Sequence, residues 1–428
     1  MAKCSVCNEI DVYEQDKCIL HCKKTEENGW YKFKDDGSKD WKKSEYKIKE
    51  FWEKIQDEID NVTSQKNDLK KSGKEMKDEF NYEMFTYEYK RVIFPVSIIN
   101  DLNHKSFYNL DKDININFDS CRFLGKTDFS LIQKAKNISF QKCLFCDYFE
   151  LKGSQFNNLF LFENCKLYKK ATFQNIIFNG TTSFIKTTFY DNINFIHTKF
   201  ESLALFNNVK GNKLNFDNTF FKDEANFLNI KNKDGKKLES KNIENRETAR
   251  IIKHSFEKLD NIIEANKFYA LEMEKREEEL DVKNFAEWLV FKFHKISSNH
   301  SQDWLLPILW MFSISFFYIA LFQINDMSHS LGDFLSYHII NVMLLLFLLH
   351  DFKLFYKYLY LIIPLWFVNL VSFCNFGEIF NTLADKINPF SIMTSKDPMT
   401  FHLLLYKIII AYLIYQFIIS IRQNTRRK

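Results

Sequence analysis

The strongest constraint in this chain is a series of large apolar residues, nearly all phenylalanine, that recurs in steps of five and six. From Phe118 it runs through Phe123, Phe129, Phe140, Phe145, Leu151, Phe156, Phe162, Leu167 and Phe173, then Phe178, Phe184, Phe189, Phe195, Phe200 and Phe206. Lys134 fills the one slot between Phe129 and Phe140, and after an irregular stretch around Gly211 the series resumes at Phe216, Phe221 and Phe227. Such a step is neither a helical period nor the alternation of a simple hairpin. Two residues before many of these positions stand small or apolar ones: Cys121, Thr127, Ile138, Cys143, Cys165, Ala171, Thr182, Thr187, Thr198, Ala204 and Ala225. Polar residues lie between. One bulky and one small inward position per step is what each face of a four-sided coil needs, and four faces make a coil of 22 residues. Cys121, Cys143 and Cys165 are spaced by that same 22 and would stack one per coil.

This pattern resembles the pentapeptide-repeat family, right-handed quadrilateral β-helices with Phe or Leu at the central position, although the six-residue steps depart from the strict motif. The resemblance implies roughly five coils over residues 113–230, with strands about 4.8 Å apart and capped ends. Burial of the phenylalanine stack would drive folding at about 25 cal/mol per Å². Some members imitate DNA with an acidic surface. Residues 113–230 hold 11 acidic against 14 basic residues, which excludes that role here.

The N-terminus carries a second signal, Cys4-x2-Cys7-x10-Cys18-x2-His21-Cys22. Each short pair can aim two ligands at one ion, so Cys4, Cys7, Cys18 and His21 are expected to hold a structural zinc, with Cys22 as the alternative fourth ligand. No secretory signal precedes the nine cysteines, which predicts a reduced, cytosolic setting for residues 1–300. Cys143-x2-Cys146 imitates a redox or metal motif, but the repeat points Cys143 inward and Cys146 outward. It reads as packing.

Between these signals, Ile48, Phe51, Trp52, Ile55 and Ile59 fall at helical spacing within the charged stretch 23–90. Beyond the repeat, Lys231–Asn245 reads as a linker and Glu247–Glu279 as a helical stretch. Asn284–Ile296 mixes Trp288, Phe291 and Phe293 with Lys292 and Lys295, as in a helix lying at a membrane surface.

The last quarter changes solvent. Leu305–Ile324, Phe334–Leu349, Tyr358–Cys374 and Leu403–Ile421 are candidate spans of a core about 30 Å thick. The basic tail, Arg422, Arg426, Arg427 and Lys428, favours four spans with both termini cytoplasmic, in a bacterial-type inner membrane. Asn341, Asn369, Gln416, His338 and Lys407 are polar groups within or near spans, Lys407 close enough to the outer boundary to snorkel. The loop 375–401 weakly resembles the pore loop of two-helix potassium channels, without their Thr-Val-Gly-Tyr-Gly signature.

The chain therefore reads as a mixed fold. It has a zinc knuckle (1–22), a helical and capping region (23–112), a β-helix (113–230), a linker and helical region with a juxtamembrane helix (231–303), and a transmembrane domain of about four helices (304–428). No nucleotide loop, nucleophile elbow or acid pair argues for an enzyme. The expected role is a membrane-anchored scaffold or regulatory protein, with a channel-like effector as the alternative. Its expected partners are the lipid bilayer and a cytoplasmic protein, with self-association open. A net charge of +4 gives no reason to expect nucleic acid.

Overall fold

A computed structural model describes residues 3–8, 10–71, 86–96, 98–99, 102–103, 115–129, 135–280, 285–322, 387–388 and 400–425. The contacts divide the chain into two units, Met1–Arg276 and Glu277–Lys428.

The first unit is a β-solenoid of about five turns. Its short strands pair in parallel with the strand one coil later, so that Ile138 lies beside Phe160, Phe160 beside Thr182 and Thr182 beside Ala204. One face is a seven-stranded parallel sheet, another has four strands, and the remaining two join through the long strand Thr188–Asn194. Inside, the phenylalanines stack coil upon coil. Phe118 lies 4.7 Å from Phe140 at 5°, and Phe123 lies 4.5 Å from Phe145 at 2°. Neighbours within a coil meet edge to face, as Phe173 and Phe184 do at 84°. The sequence series from Phe118 to Phe206 is buried throughout outside the Lys134 slot, which lies outside the described residues.

The small inward positions do more than save space. Thr187, Thr198 and Thr219 donate to the carbonyls of Phe162, Phe173 and Phe195 at 2.7, 2.9 and 2.7 Å, and Cys143 and Cys165 make the same bond with sulfur to Phe118 and Phe140. A short donor at the corner thus satisfies a buried carbonyl of the preceding coil. Cys143 is buried and Cys146 half-buried. Two large residues occupy the small slots, Phe149 and Phe160, both about 1% exposed.

Two corners are left-handed. Ser120, Lys142, Asn164, Lys186, Asn208 and Asn229 form one column with φ between 53° and 59°, and Gly153, Asn175, His197 and Asn218 form another. With 10 glycines in the chain, asparagine supplies half of these turns. The irregularity at Gly211 is the end of a column: Gly211 follows Phe189, the register shifts between Phe189 and Asn192, and the Leu214 side chain occupies the space a Cβ at Gly211 would need, 2.5 Å away.

Both solenoid ends are covered. At the start, residues 86–96 make a partial coil in which Phe94 stacks on Phe123 at 4.6 Å and Tyr89 on Phe118 at 5.3 Å. Helix α1, Glu45–Lys71, lies over it with Ile48, Phe51, Trp52, Ile55 and Ile59 buried, and Trp52 Nε1 donates to the Val96 carbonyl at 3.2 Å. At the far end, Lys231–Asn245 is a cap rather than a free linker. Lys231–Asn232 adds a strand, and Ile243 bridges Leu214. The Asn242 amide donates to the Asn212 carbonyl at 2.7 Å. Helix α2, Arg246–Lys258, then presents Thr248, Ala249, Ile252 and Phe256 to the interior. The helical stretch expected at 247–279 is two helices, because Asp260 turns left-handed (φ 55°) before α3, Ile262–Glu279.

In the second unit, α4 (Phe285–Ser298) exposes Phe285, Val290, Phe293 and Ile296, and α5 (Leu305–Phe322) carries no charged residue. Helix α6, Phe401–Thr425, is the one described helix long and apolar enough to cross a membrane. The candidates 334–349 and 358–374, with His338, Asn341 and Asn369, and nearly all of the loop 375–401 lie outside the described residues. The four-span count and the channel resemblance thus gain no support. Gln416 joins helices by accepting from Ser298 Oγ at 2.9 Å. Lys407 is 3% exposed and donates to the Asn388 carbonyl at 2.6 Å, as a buried ammonium must find an acceptor.

Candidate metal centre

The N-terminal cysteines and histidine converge. Around the first pair, Lys3 bridges Asp11, and Asn8 turns left-handed (φ 55°) while its N–H bonds the Cys4 carbonyl at 2.9 Å, which folds Cys7 back toward Cys4. Around the second pair, the N–H groups of His21 and Cys22 both reach the Cys18 carbonyl, at 3.0 and 2.9 Å, so Cys18 and His21 share one side of a single turn. One ligand atom each from Cys4, Cys7, Cys18 and His21 lies within 4.8 Å of all the others. A tetrahedral ion bound to sulfur at about 2.3 Å needs sulfurs about 3.8 Å apart. Cys7 and Cys18 are 3.9 Å apart, and His21 Nδ1 lies 3.8 Å from Cys4 Sγ and 3.1 Å from Cys18 Sγ. The cluster could bind a metal ion.

Its surroundings suit that use. His21 Nε2 is 2.9 Å from the Lys90 carbonyl; donating there places the ring's lone pair on Nδ1, facing the sulfurs. The Val6 N–H points at Cys4 Sγ from 3.4 Å. Burial opposes ionisation of Cys4, yet backbone hydrogen bonds from Cys18, Cys7 and Val6 outweigh it and bring the thiol down to about 6. Burial pushes Cys18 up. Cys22 is turned away, its thiol donating to the Ile19 carbonyl at 3.5 Å. Beside it Lys24, pushed by burial down to about 8, donates to the Ile19 carbonyl at 2.8 Å and sits 4.8 Å from the rings of both Trp30 and Phe51.

The spacing of the cysteine pairs pointed to this cluster. Lys90, 69 residues from His21, carried no signal in the sequence, because a backbone carbonyl has none. Knuckle and solenoid are joined again where the Ile93 N–H bonds the Leu20 carbonyl at 2.9 Å.

A closed, parallel β-solenoid with capped ends and a compact Cys₃His cluster at its first coil defines the first unit. Its repeats match a known family: residues 162–210 fit the model for pentapeptide repeats (9 copies). No curated protein and no solved structure matches the chain.

Proposed function

We propose that this chain is a membrane-anchored scaffold whose solenoid presents a rigid surface to a cytoplasmic protein, and that its Cys4, Cys7, Cys18 and His21 cluster holds a structural zinc. The observation that carries the scaffold reading is the division of labour along each strand. Alternate residues fill the axis with phenylalanine and leave regular outward columns, such as Tyr168 stacked on Tyr190 at 5.0 Å with both rings exposed. Exposed aromatics on a rigid frame are favoured at binding surfaces. Anchoring is assigned to α6, assisted by the apolar face of α4. The zinc assignment follows from three sulfur donors and one imidazole without a carboxylate, a soft and closed set. Such an ion would fix the knuckle rather than activate a substrate.

Partner capture from native membranes tests the scaffold. A protein retained by the wild type and lost with Tyr168→Ser/Tyr190→Ser, at unchanged thermal stability, supports it. Correctly inserted full-length protein that retains nothing overturns it. Resistance to alkaline carbonate extraction tests the anchor, and metal analysis of purified protein tests the zinc.

A further inference from the structure

One edge of the solenoid carries a single cation at each level. Its left-handed corner column reads Arg91, Ser120, Lys142, Asn164, Lys186, Asn208 and Asn229. Two residues later, the strand column reads Ile93, Arg122, Leu144, Lys166, Thr188, Lys210 and Lys231. At every level one member of the pair is Lys or Arg and the other is not. All seven cations are exposed, and among the described residues none is in a salt bridge. Several lysines elsewhere on the solenoid are paired: Lys126 and Lys152 share Glu150 at 3.0 and 3.4 Å, Lys213 meets Glu244 at 2.7 Å and Lys222 meets Glu201 at 3.1 Å. Asp119 and Glu163 are the acids in the column just before the corner, and Glu163 accepts from Ser183 Oγ. Seven exposed cations, one per level from Arg91 to Lys231, thus share one edge.

That line follows a convex corner, about 29 Å long at about 4.8 Å per coil. A polymer with fixed charge spacing needs a matching register and is better held in a groove. A fluid bilayer needs neither, because its headgroups diffuse to the cations. Clustered lysines and arginines beside a membrane are drawn to its anionic headgroups. We propose that this edge docks onto the anionic headgroups of the leaflet facing it, laying the solenoid along the membrane. The inference rests on the anchored reading above, which keeps lipid at high local concentration.

The full-length chain, reconstituted in vesicles of phosphatidylcholine with or without about one-third phosphatidylglycerol, is treated with a membrane-impermeant acylating reagent, and labelling rates are read lysine by lysine. On anionic vesicles Lys142, Lys166, Lys186 and Lys210 should label about threefold or more slowly than on neutral ones, with the difference lost in high salt. Lys126, Lys152 and Lys222 should be unchanged. Equal rates at the edge in both lipids, or equal slowing at edge and control lysines, overturns the proposal. So does protection by soluble heparin on neutral vesicles without protection by phosphatidylglycerol, which would assign the edge to a soluble polyanion. Flotation separates the two readings. A chain that fails to float with neutral vesicles in high salt lacks the anchor. The edge is then read as salt-sensitive flotation on anionic vesicles that K142Q/K166Q/K186Q/K210Q abolishes; its survival in that variant overturns the proposal.

Discussion

The two ends of the solenoid are closed by different chemistry. At the first coil, aromatic stacking through Tyr89 and Phe94 is backed by a knuckle in which four candidate ligands converge, and His21 ties that knuckle to Lys90. At the last coil, Ile243, Thr248 and α2 close the stack with apolar burial, hydrogen bonds and the Lys213–Glu244 ion pair, the Phe216 N–H bonding Thr248 Oγ1 at 2.9 Å. A solenoid end must be covered or it pairs with another chain. With the zinc proposed above, one cover is conditional on a ligand and the other is not.

The largest effect should come from removing the condition. Structural zinc in small knuckles is worth about 10–16 kcal/mol, more than many domains have in total. Chelation, or Cys18→Ser, should abolish hydrogen-exchange protection over residues 10–60 and 86–96 while leaving residues 204–256 protected. Protection lost equally at both ends would erase the contrast. A cavity at the centre should act on both ends together: Phe173→Ala, at a fully buried position, is expected to cost about 3–5 kcal/mol in denaturant unfolding. Removing one acceptor at the far end should be smaller and local. Thr248→Val should cost about 1–3 kcal/mol and loosen exchange near Phe216 without touching the knuckle. The smallest effect belongs to a group at neither end. Burial opposes ionisation of Glu150, but Lys126 and Lys152 hold its carboxyl below the ordinary value of 4.5. Its contribution is present above that pH and lost as the pH falls through the lowered value. Solvent screening keeps it below about 1 kcal/mol, so Glu150→Gln should barely move the unfolding midpoint at pH 7.

The interior was legible because its rule is translational: each phenylalanine has the same neighbours one coil away, so spacing alone exposes it. Phe149 and Phe160 escaped because they sit in slots where their neighbours are Thr127, Ala171, Ile138 and Thr182, and volume there is shared between coils rather than fixed at each position. The caps were harder to read. Thr248, Asn242 and Lys90 act through backbone groups far away in sequence, and such bonds leave no period. The basic edge was hidden for another reason. Its cations are divided between two columns two residues apart, and neither column alone is uniformly basic. In the metal cluster the ligand spacing was plain, whereas the choice of His21 over Cys22 depended on the direction taken by one turn.

The 22-residue register has a consequence for the length of the protein. Excising Leu144–Cys165 would join Cys143 to Lys166, which already occupies the site equivalent to Leu144, and would lower the tower by one storey while both roofs stayed intact. Height is thus an independent variable in this architecture, changeable by duplication or deletion in whole storeys, whereas loss of a single residue inside a strand would turn every later side chain to the wrong face. The shortened final coil, where the register shifts between Phe189 and Asn192, shows where one such loss is absorbed.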